Sequence, residues 1–396
     1  MNSIKKPIVI VGGGFAGINA ALNFKNKNPQ IPIIVVDSNS QFIFKPLLYE
    51  VLSNEIKAWE IAPSFEDIFS EYGITFFQNH LISIDTDQNI LHFKDHVKIY
   101  YEYLILCTGS SSNSFSIKGV DEFCYFFNTL DDQNKLKLFL DSAKCESSKK
   151  SIYVVGAGPS GIELANKIYD LYGDKFKVSV IEKTNQILSN SKSFNREEAN
   201  KSIKQRGIDI LLNTTIKEIS KKHLIVTDIN GKNLELNYEA VIWTAGVKPN
   251  LPIFTKDIEK FNGRILINSE LRINSLKNVF ALGDIAIIEN NKSLPITAQV
   301  AMQQGKYLAN NFYSIINNEK IVSFEFQDNG EMISLGLGEA SISGFGLTLA
   351  GRFAFDLRRL VYASKMPMMK KSFMSAASWI LDKKTFVRKF ASIDKS

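Results

Sequence analysis

The sequence predicts an α/β protein in which one strand–turn–helix unit occurs twice, followed by an amphipathic helical tail. Three observations carry that prediction. An apolar strand beginning at Ile8 enters a glycine-rich turn and a helix-like run, and the same arrangement returns about 144 residues later. Each copy is followed by a second short apolar strand that ends in an acid. Residues 351–396 differ from everything before them in charge and hydrophobic pattern.

The first copy is "PIVIVGGGFAGINAAL": a continuous apolar strand, Ile8 to Val11, then Gly12-x-Gly14-x-x-Gly17, then a helix. "PIIVVDSN" follows and ends in Asp37, 25 residues after Gly12. Strand, turn, helix and acid at this spacing form a dinucleotide-binding fingerprint. The first glycine permits the tight turn, the second lets backbone N–H groups approach a pyrophosphate, and the third lets the helix pack close to the strand. The helix N-terminus then meets the anion with its partial positive charge. Gly12, Gly14, Phe15, Ala16 and Gly17 are therefore candidate cofactor contacts, with Asp37 placed to accept hydrogen bonds from a ribose diol.

The second copy, "KKSIYVVGAGPSGIELANKI", supplies Gly156-x-Gly158-x-x-Gly161 with Pro159 and Ser160 inside the turn. "KVSVIEKTN" ends its next strand at Glu182, 26 residues after Gly156. Two fingerprints imply two Rossmann-like domains and two dinucleotides, hence electron transfer from one to the other. An acid at the second strand end favours a free 2′-hydroxyl, so Glu182 favours NADH over NADPH, while Lys183 beside it keeps NADPH open. "YEYLILCTGSSSN" ends a buried strand in Thr108-Gly109, and "YEAVIWTAGVKPN" is its counterpart ending in Ala245-Gly246. "LKNVFALGDIAI" ends a third such strand in Gly283-Asp284.

Composition narrows the class. A hydrophobic fraction of 45% with 22% charged residues belongs to an ordinary globular protein. The three cysteines, Cys107, Cys124 and Cys145, form no C-x-x-C pair, and the four histidines are scattered. Together they argue for a reducing compartment and against a disulfide framework or metal site. The chain enters its first strand at Pro7, so no leader peptide is expected, and no run of about 18 apolar residues suggests a membrane span. Residues 351–396 hold eleven Lys or Arg against Asp356, Asp382 and Asp394, a net +8 within a total of +6.

With these motifs in order, the chain resembles the flavoprotein superfamily with two dinucleotide-binding domains, in which a Gly-Asp like Gly283-Asp284 contacts the flavin's ribityl chain and phosphate. That resemblance implies FAD in the amino-terminal unit and the nicotinamide cofactor in the inserted one. The absence of a cysteine pair, and of any cysteine after Cys145, argues against the disulfide reductases and the sulfide:quinone reductases.

The positive match is to the type II (single-subunit, non-pumping) NADH:quinone oxidoreductases. "FIFKPLLYEVLSNEI" resembles the family's segment along the flavin, with Lys45 at a position where Gln or Thr is common. "TAQVAMQQGKYLANN" resembles its A-Q-x-A-x-Q element, which implies that Ala298 lies at the flavin and that Gln299 and Gln303 border the quinone head group. Spaced four apart, the two amides share a helix face. Glu163 in "GPSGIELA" matches the family glutamate proposed to assist proton delivery; alternatively it is a helix-start acid favoured by the dipole. "QDNGEMISLGLGEA" resembles the strand pair that follows.

The implied organisation is an FAD-binding domain of residues 1–112 and 251–325, an NAD-binding domain of 113–250 between them, and a membrane-anchoring segment of 326–396. In that segment Leu347, Leu349, Phe353, Phe355, Leu357, Leu360 and Val361, and after Met366-Pro367 Met368, Met369, Phe373, Met374, Trp379, Ile380 and Leu381, offer apolar contact among basic residues. Such a helix pair would lie in an anionic membrane interface without crossing it. A hairpin capping the protein's own core, or an arm forming a homodimer, would use the same pattern. Nucleic-acid binding lacks a recognition motif.

The ending Leu-Ala-Gly-Arg…Leu-Arg-Arg-Leu-Val-Tyr-Ala-Ser-Lys-Met-Pro is similar to the cyanobacterial and plastid branch, which includes demethylphylloquinone reductases. The expected activity is hydride transfer from NADH to FAD, then two-electron reduction of a membrane quinone of the plastoquinone, menaquinone or demethylphylloquinone class. The expected place is the cytoplasmic face of a plasma or thylakoid membrane. An enzyme with a non-quinone acceptor, or an NADH-sensing flavoprotein acting through a partner, would share most of these features.

Overall fold

A computed structural model of the chain describes residues 6–143, 149–344 and 346–368. The polypeptide forms two compact units, each assembled from three stretches of sequence: 6–43, 62–111 and 247–328 in one, and 44–61, 112–246 and 329–368 in the other.

The first unit is organised by a five-stranded parallel sheet. Its order is Val279–Ala281, Tyr103–Leu106, Ile8–Val11, Ile33–Asp37 and Thr75–Gln78. Ile8–Val11 is central and buried along its whole length, as a strand covered on both faces must be. The helices Phe15–Lys27 and Ala298–Ile316 pack closely enough that a Cβ on Gly305 would stand 2.6 Å from the Ala16 carbonyl oxygen. At the far end of that helix pair Phe312 meets Phe24 and Tyr103 edge-on, each with ring centroids 5.0 Å away. The unit's smaller sheets include one around Leu81–Asp85 and Ile90–Phe93 and another around Arg264–Ile267 and Ala286–Ile288.

The second unit repeats the plan. Its parallel sheet runs Asp209–Leu211, Phe176–Ile181, Lys150–Val155, Ala240–Trp243 and Cys124–Tyr125. The helices Pro159–Tyr172 and Ser193–Arg206 lie in this unit, and residues 215–237 form an antiparallel three-stranded sheet. Residues 329–368 fold onto this unit as an antiparallel sheet of Glu331–Gly336, Glu339–Gly344 and Leu347–Gly351 followed by the helix Arg352–Ala363. The Glu331 carboxylate fixes the sheet by accepting from Ser191 Oγ at 2.7 Å and Asn195 Nδ2 at 2.9 Å. Arg206 pairs with Asp170 at 2.6 and 2.9 Å where the sheet turns at Gly336.

No helix among the described residues is long and apolar enough to cross a membrane. The second half of the basic tail, from Met369 onward, lies outside the described residues.

Candidate functional site

In the first unit the three glycines of the turn have separate jobs. Gly12 sits at φ +104°, a left-handed value that other residues adopt only with strain, and a Cβ there would stand 2.2 Å from the Cys107 carbonyl oxygen. Gly17 lies over Gly12, and its Cβ would stand 1.9 Å from the Gly12 oxygen. Both are required for the helix to sit close to the sheet.

Gly14 is different. It caps Phe15–Lys27 at φ −74°, a value open to any residue, and nothing lies within 4 Å of where its Cβ would be. The fold has no need of glycine at this position; a ligand approaching the backbone does. No side chain caps this helix start, the end of a helix that favours an anion. The second unit matches point for point. A Cβ on Gly161 would stand 1.8 Å from the Gly156 oxygen, while Gly158 caps its helix at φ −72° with nothing within 4 Å, and Pro159 follows at the helix start. The residues present therefore fit a pyrophosphate at both turns.

The two acids are built into their turns in the same way. Asp37 Oδ2 accepts from the Gly13 N–H at 2.7 Å, and Oδ1 from the Asn39 N–H at 2.8 Å. Glu182 Oε2 accepts from the Ala157 N–H at 2.7 Å, while Oε1 accepts from the Thr184 N–H and hydroxyl at 2.9 and 3.0 Å. Each carboxylate thus braces its own turn.

The strand ends are also tied down. Thr108 Oγ1 donates to the Asn250 carbonyl at 2.5 Å, and the Asn250 N–H returns to the Gly109 carbonyl at 2.9 Å. Ala245 adjoins Gly156, and the Phe115 ring covers Gly246 closely enough that a Cβ would clash at 2.6 Å. Asp284 Oδ2 accepts from Ser110 Oγ at 2.5 Å. The Gly283 N–H donates to the side chain of buried Gln304 at 2.7 Å, a residue that sequence reasoning passed over for its neighbour.

Ala298 opens the helix that follows, capped by Thr297 Oγ1 accepting from the Val300 N–H at 3.3 Å. Gln299 and Gln303 are half-buried, one turn apart. Gln303 donates to the Gln327 carbonyl at 2.8 Å and accepts from its N–H at 3.0 Å. An amide holds two N–H groups and two lone pairs, so each end of Gln303 keeps one to offer.

Glu163 lies one turn into the second fingerprint helix and is only 6% exposed. It belongs to a buried cluster of three acids and three cations that the motif analysis did not anticipate. Arg358, fully buried, donates to Glu50, to the Pro46 carbonyl at 2.8 Å and to Glu163 Oε1 at 3.3 Å. Arg359 Nε donates to the other Glu50 oxygen at 2.6 Å, and Lys167, one turn beyond Glu163, pairs with Glu55. The Ser334 N–H donates to Glu163 Oε1 at 2.8 Å. Burial raises Glu163 to about 7; the Arg358 charge and the Ser334 N–H hold it from going higher. Burial pushes Glu50 the same way, yet Arg359 and Arg358 overcome it and keep Glu50 below its ordinary range. Ser160 hydrogen-bonds buried Tyr49, whose phenol is pushed well above its usual value, chiefly by burial.

One expectation for the tail changes here. The helix Arg352–Ala363 buries Ala354, Phe355, Arg358, Arg359 and Ala363 and exposes Phe353 and Leu360. Two of its three arginines face protein and do not meet a membrane, because Glu50 offers each a carboxylate oxygen. Leu347 is exposed as expected, whereas Phe355 is core. Lys45, grouped with the flavin contacts in sequence, is exposed at the start of the Lys45–Leu47 turn in the second unit.

The pyridine nucleotide-disulphide oxidoreductase family matches residues 6–305. The demethylphylloquinone reductase NdbB of Synechocystis sp. is 32% identical, over 96% of this chain and 97% of its own length. The type II NADH:quinone oxidoreductase of Haemophilus influenzae is 27% identical over 88% of this chain and 90% of its own. This chain belongs to the type II NADH:quinone oxidoreductase family. Its fold is that of the NDH2 of Plasmodium falciparum solved with NADH, which superposes with a TM-score of 0.86 at 21% identity over 96% of this chain and 98% of that one. The sulfide:quinone oxidoreductase of Aquifex aeolicus shares the fold less closely, with a TM-score of 0.77 at 18% identity over 94% and 92% of the two chains.

Proposed function

We infer that this family member is an FAD-dependent NAD(P)H:quinone oxidoreductase, taking hydride from NADH and passing two electrons to a membrane quinone without pumping protons. The observation that carries the reading is the doubled turn: in one chain of this family, two helix starts each present an open glycine that their own packing does not need. Flavin, when bound, supplies the switch from hydride acceptance to electron donation.

The chain's own residues bind, orient and handle protons. Gly12, Gly14 and Gly17, with Phe15 and Ala16, hold the FAD pyrophosphate, and Asp37 its ribose. Thr108, Gly109, Gly283, Asp284 and Ala298 complete the flavin contacts. Gly156, Gly158 and Gly161, with Pro159, Ser160, Ala245 and Gly246, hold the nicotinamide cofactor, and the acidic Glu182 favours NADH, with Lys183 beside it keeping NADPH open. Gln299 and Gln303 donate to quinone carbonyls, the second oriented by the Gln327 main chain. Glu163 holds a proton at its carboxylate near neutral pH and releases it toward the reduced quinone.

The similarity to the Synechocystis reductase favours a demethylphylloquinone-type naphthoquinone as acceptor. Exposed Leu347, Phe353 and Leu360 support a peripheral seat on a membrane, where such a quinone dissolves. The test is a visible spectrum of the purified protein under anaerobic conditions. The reading expects a flavin spectrum that bleaches with NADH and recovers with a naphthoquinone. Bleaching without recovery on any quinone would refute the acceptor, and a colourless protein that binds no added FAD would refute the whole.

A further inference from the structure

We propose that Glu50 is a positioning residue for Glu163: it holds Arg358 from the opposite side and thereby keeps Glu163 able to take up and release a proton. The proposal rests on the reading of Glu163 as the proton donor to quinone.

The geometry is a contest of two carboxylates for one guanidinium. Arg358 Nη1 is committed to Glu50 Oε1, and Nη2 divides between the Pro46 carbonyl at 2.8 Å and Glu163 Oε1 at 3.3 Å. The contact to Glu163 is the longest of the three. Arg359 secures Glu50 from its second oxygen at 2.6 Å, so Glu50 cannot turn away from the helix Arg352–Ala363. The guanidinium face lies 4.7 Å from the Tyr362 ring centroid, which fixes its plane.

Each element around Glu163 contributes. Arg358 and Tyr362 come from the carboxy-terminal helix, Glu50 and Tyr49 from Leu48–Leu52, Lys167 from its own helix, and the Ser334 N–H from Glu331–Gly336. Among these Arg358 makes the closest ion pair, and Lys167 is drawn off by Glu55. Glu50 also acts directly, as a second negative charge that disfavours ionisation of Glu163. Both effects have one sign: ionised Glu50 makes Glu163 easier to protonate. Arg358 has the opposite sign.

That opposition supplies the test. The FAD-loaded full-length protein is titrated by infrared spectroscopy, and the protonated carboxyl band of Glu163 is identified by its loss in Glu163→Gln. Wild type should titrate near pH 7. Glu50→Gln should move that midpoint down by about one unit or more, because Arg358 is released to Glu163. Arg358→Met should move it up, and Glu50→Asp should restore most of the wild-type value. If Glu50→Gln fails to fold, the charge-balanced pair Glu50→Gln with Arg359→Gln should give the same downward shift. An unchanged midpoint, or movement of the Glu50 and Arg358 variants in the same direction, would overturn the proposal, since a merely structural role gives no opposed signs. Reoxidation of the NADH-reduced protein by menadione is followed over the same pH range. A shifted band with an unshifted rate profile leaves Glu50 as positioning residue and removes Glu163 from quinone protonation; a shifted profile without a shifted band overturns the proposal alone.

Discussion

Glu163→Gln should stabilise the protein at alkaline pH while slowing quinone reduction. The folded state lifts this carboxyl from its ordinary 4.5 to about 7. Between those values the native protein therefore holds a proton that the unfolded chain has lost. Stability from this group is complete below about 4.5 and falls as pH rises through 7, the reverse of a salt-bridged carboxylate. A shift of this size corresponds to about 3.5 kcal/mol at most, at roughly 1.4 kcal/mol per unit. Glutamine cannot ionise, yet its oxygen still accepts from Ser334, and Arg358 keeps Glu50. The variant should equal wild type near pH 4.5 and exceed it at pH 8 by a substantial part of that figure. Urea unfolding followed by circular dichroism, at both pH values and with FAD in excess for both proteins, measures the double difference. Parallel pH dependence in the two proteins would refute the assignment of a raised, buried carboxyl at this position.

Other substitutions separate the roles assigned above. Gly14→Ala should leave thermal stability within about 0.5 kcal/mol, since its Cβ meets nothing, yet weaken FAD retention on gel filtration. Gly17→Ala should instead destabilise by about 1–3 kcal/mol or more through its clash with Gly12, read as a lowered melting temperature. Gln304→Leu should strand the Gly283 N–H at a cost of about 1–3 kcal/mol, read by urea unfolding, and release FAD on dilution. Glu182→Gln should raise kcat/KM for NADPH relative to NADH in steady-state assays. Phe353→Ser combined with Leu360→Ser should reduce sedimentation with anionic vesicles while NADH still bleaches the flavin at the wild-type rate.

The two fingerprints were legible because their physics is local. A strand buried on both faces must be apolar, and a helix start that accepts an anion must shed its side chains, so one short stretch, Ile8 to Asp37 in the first copy, carries the whole signature. The parallel sheets followed, with Ile8–Val11 and Lys150–Val155 central in their own sheets. Gln304 shows where local reading stops. It stands beside Gln303 in the same element, and only the turn of the helix decides that Gln304 points to Gly283 and Gln303 to Gln327. Glu50 and Arg358 lay further out of reach, 308 positions apart along the chain.

Even so, both carried a signal. "PLLYEVL" places one acid in an apolar run, and "FDLRRLVYA" places two cations in another. Taken separately, the second reads as a membrane-surface helix, whose arginines would reach lipid head groups. Taken together they are anomalies of opposite sign, and an unpaired buried charge costs several kcal/mol, so each demands a partner that the other can supply. The carboxy-terminal helix satisfies both demands with different faces: Arg358 and Arg359 turn inward to Glu50, and Phe353 and Leu360 turn outward. A charge embedded in an apolar helix therefore argues for a membrane only after the rest of the sequence has been searched for its counter-charge. Here that search leads from the tail to the carboxylates beside the second fingerprint.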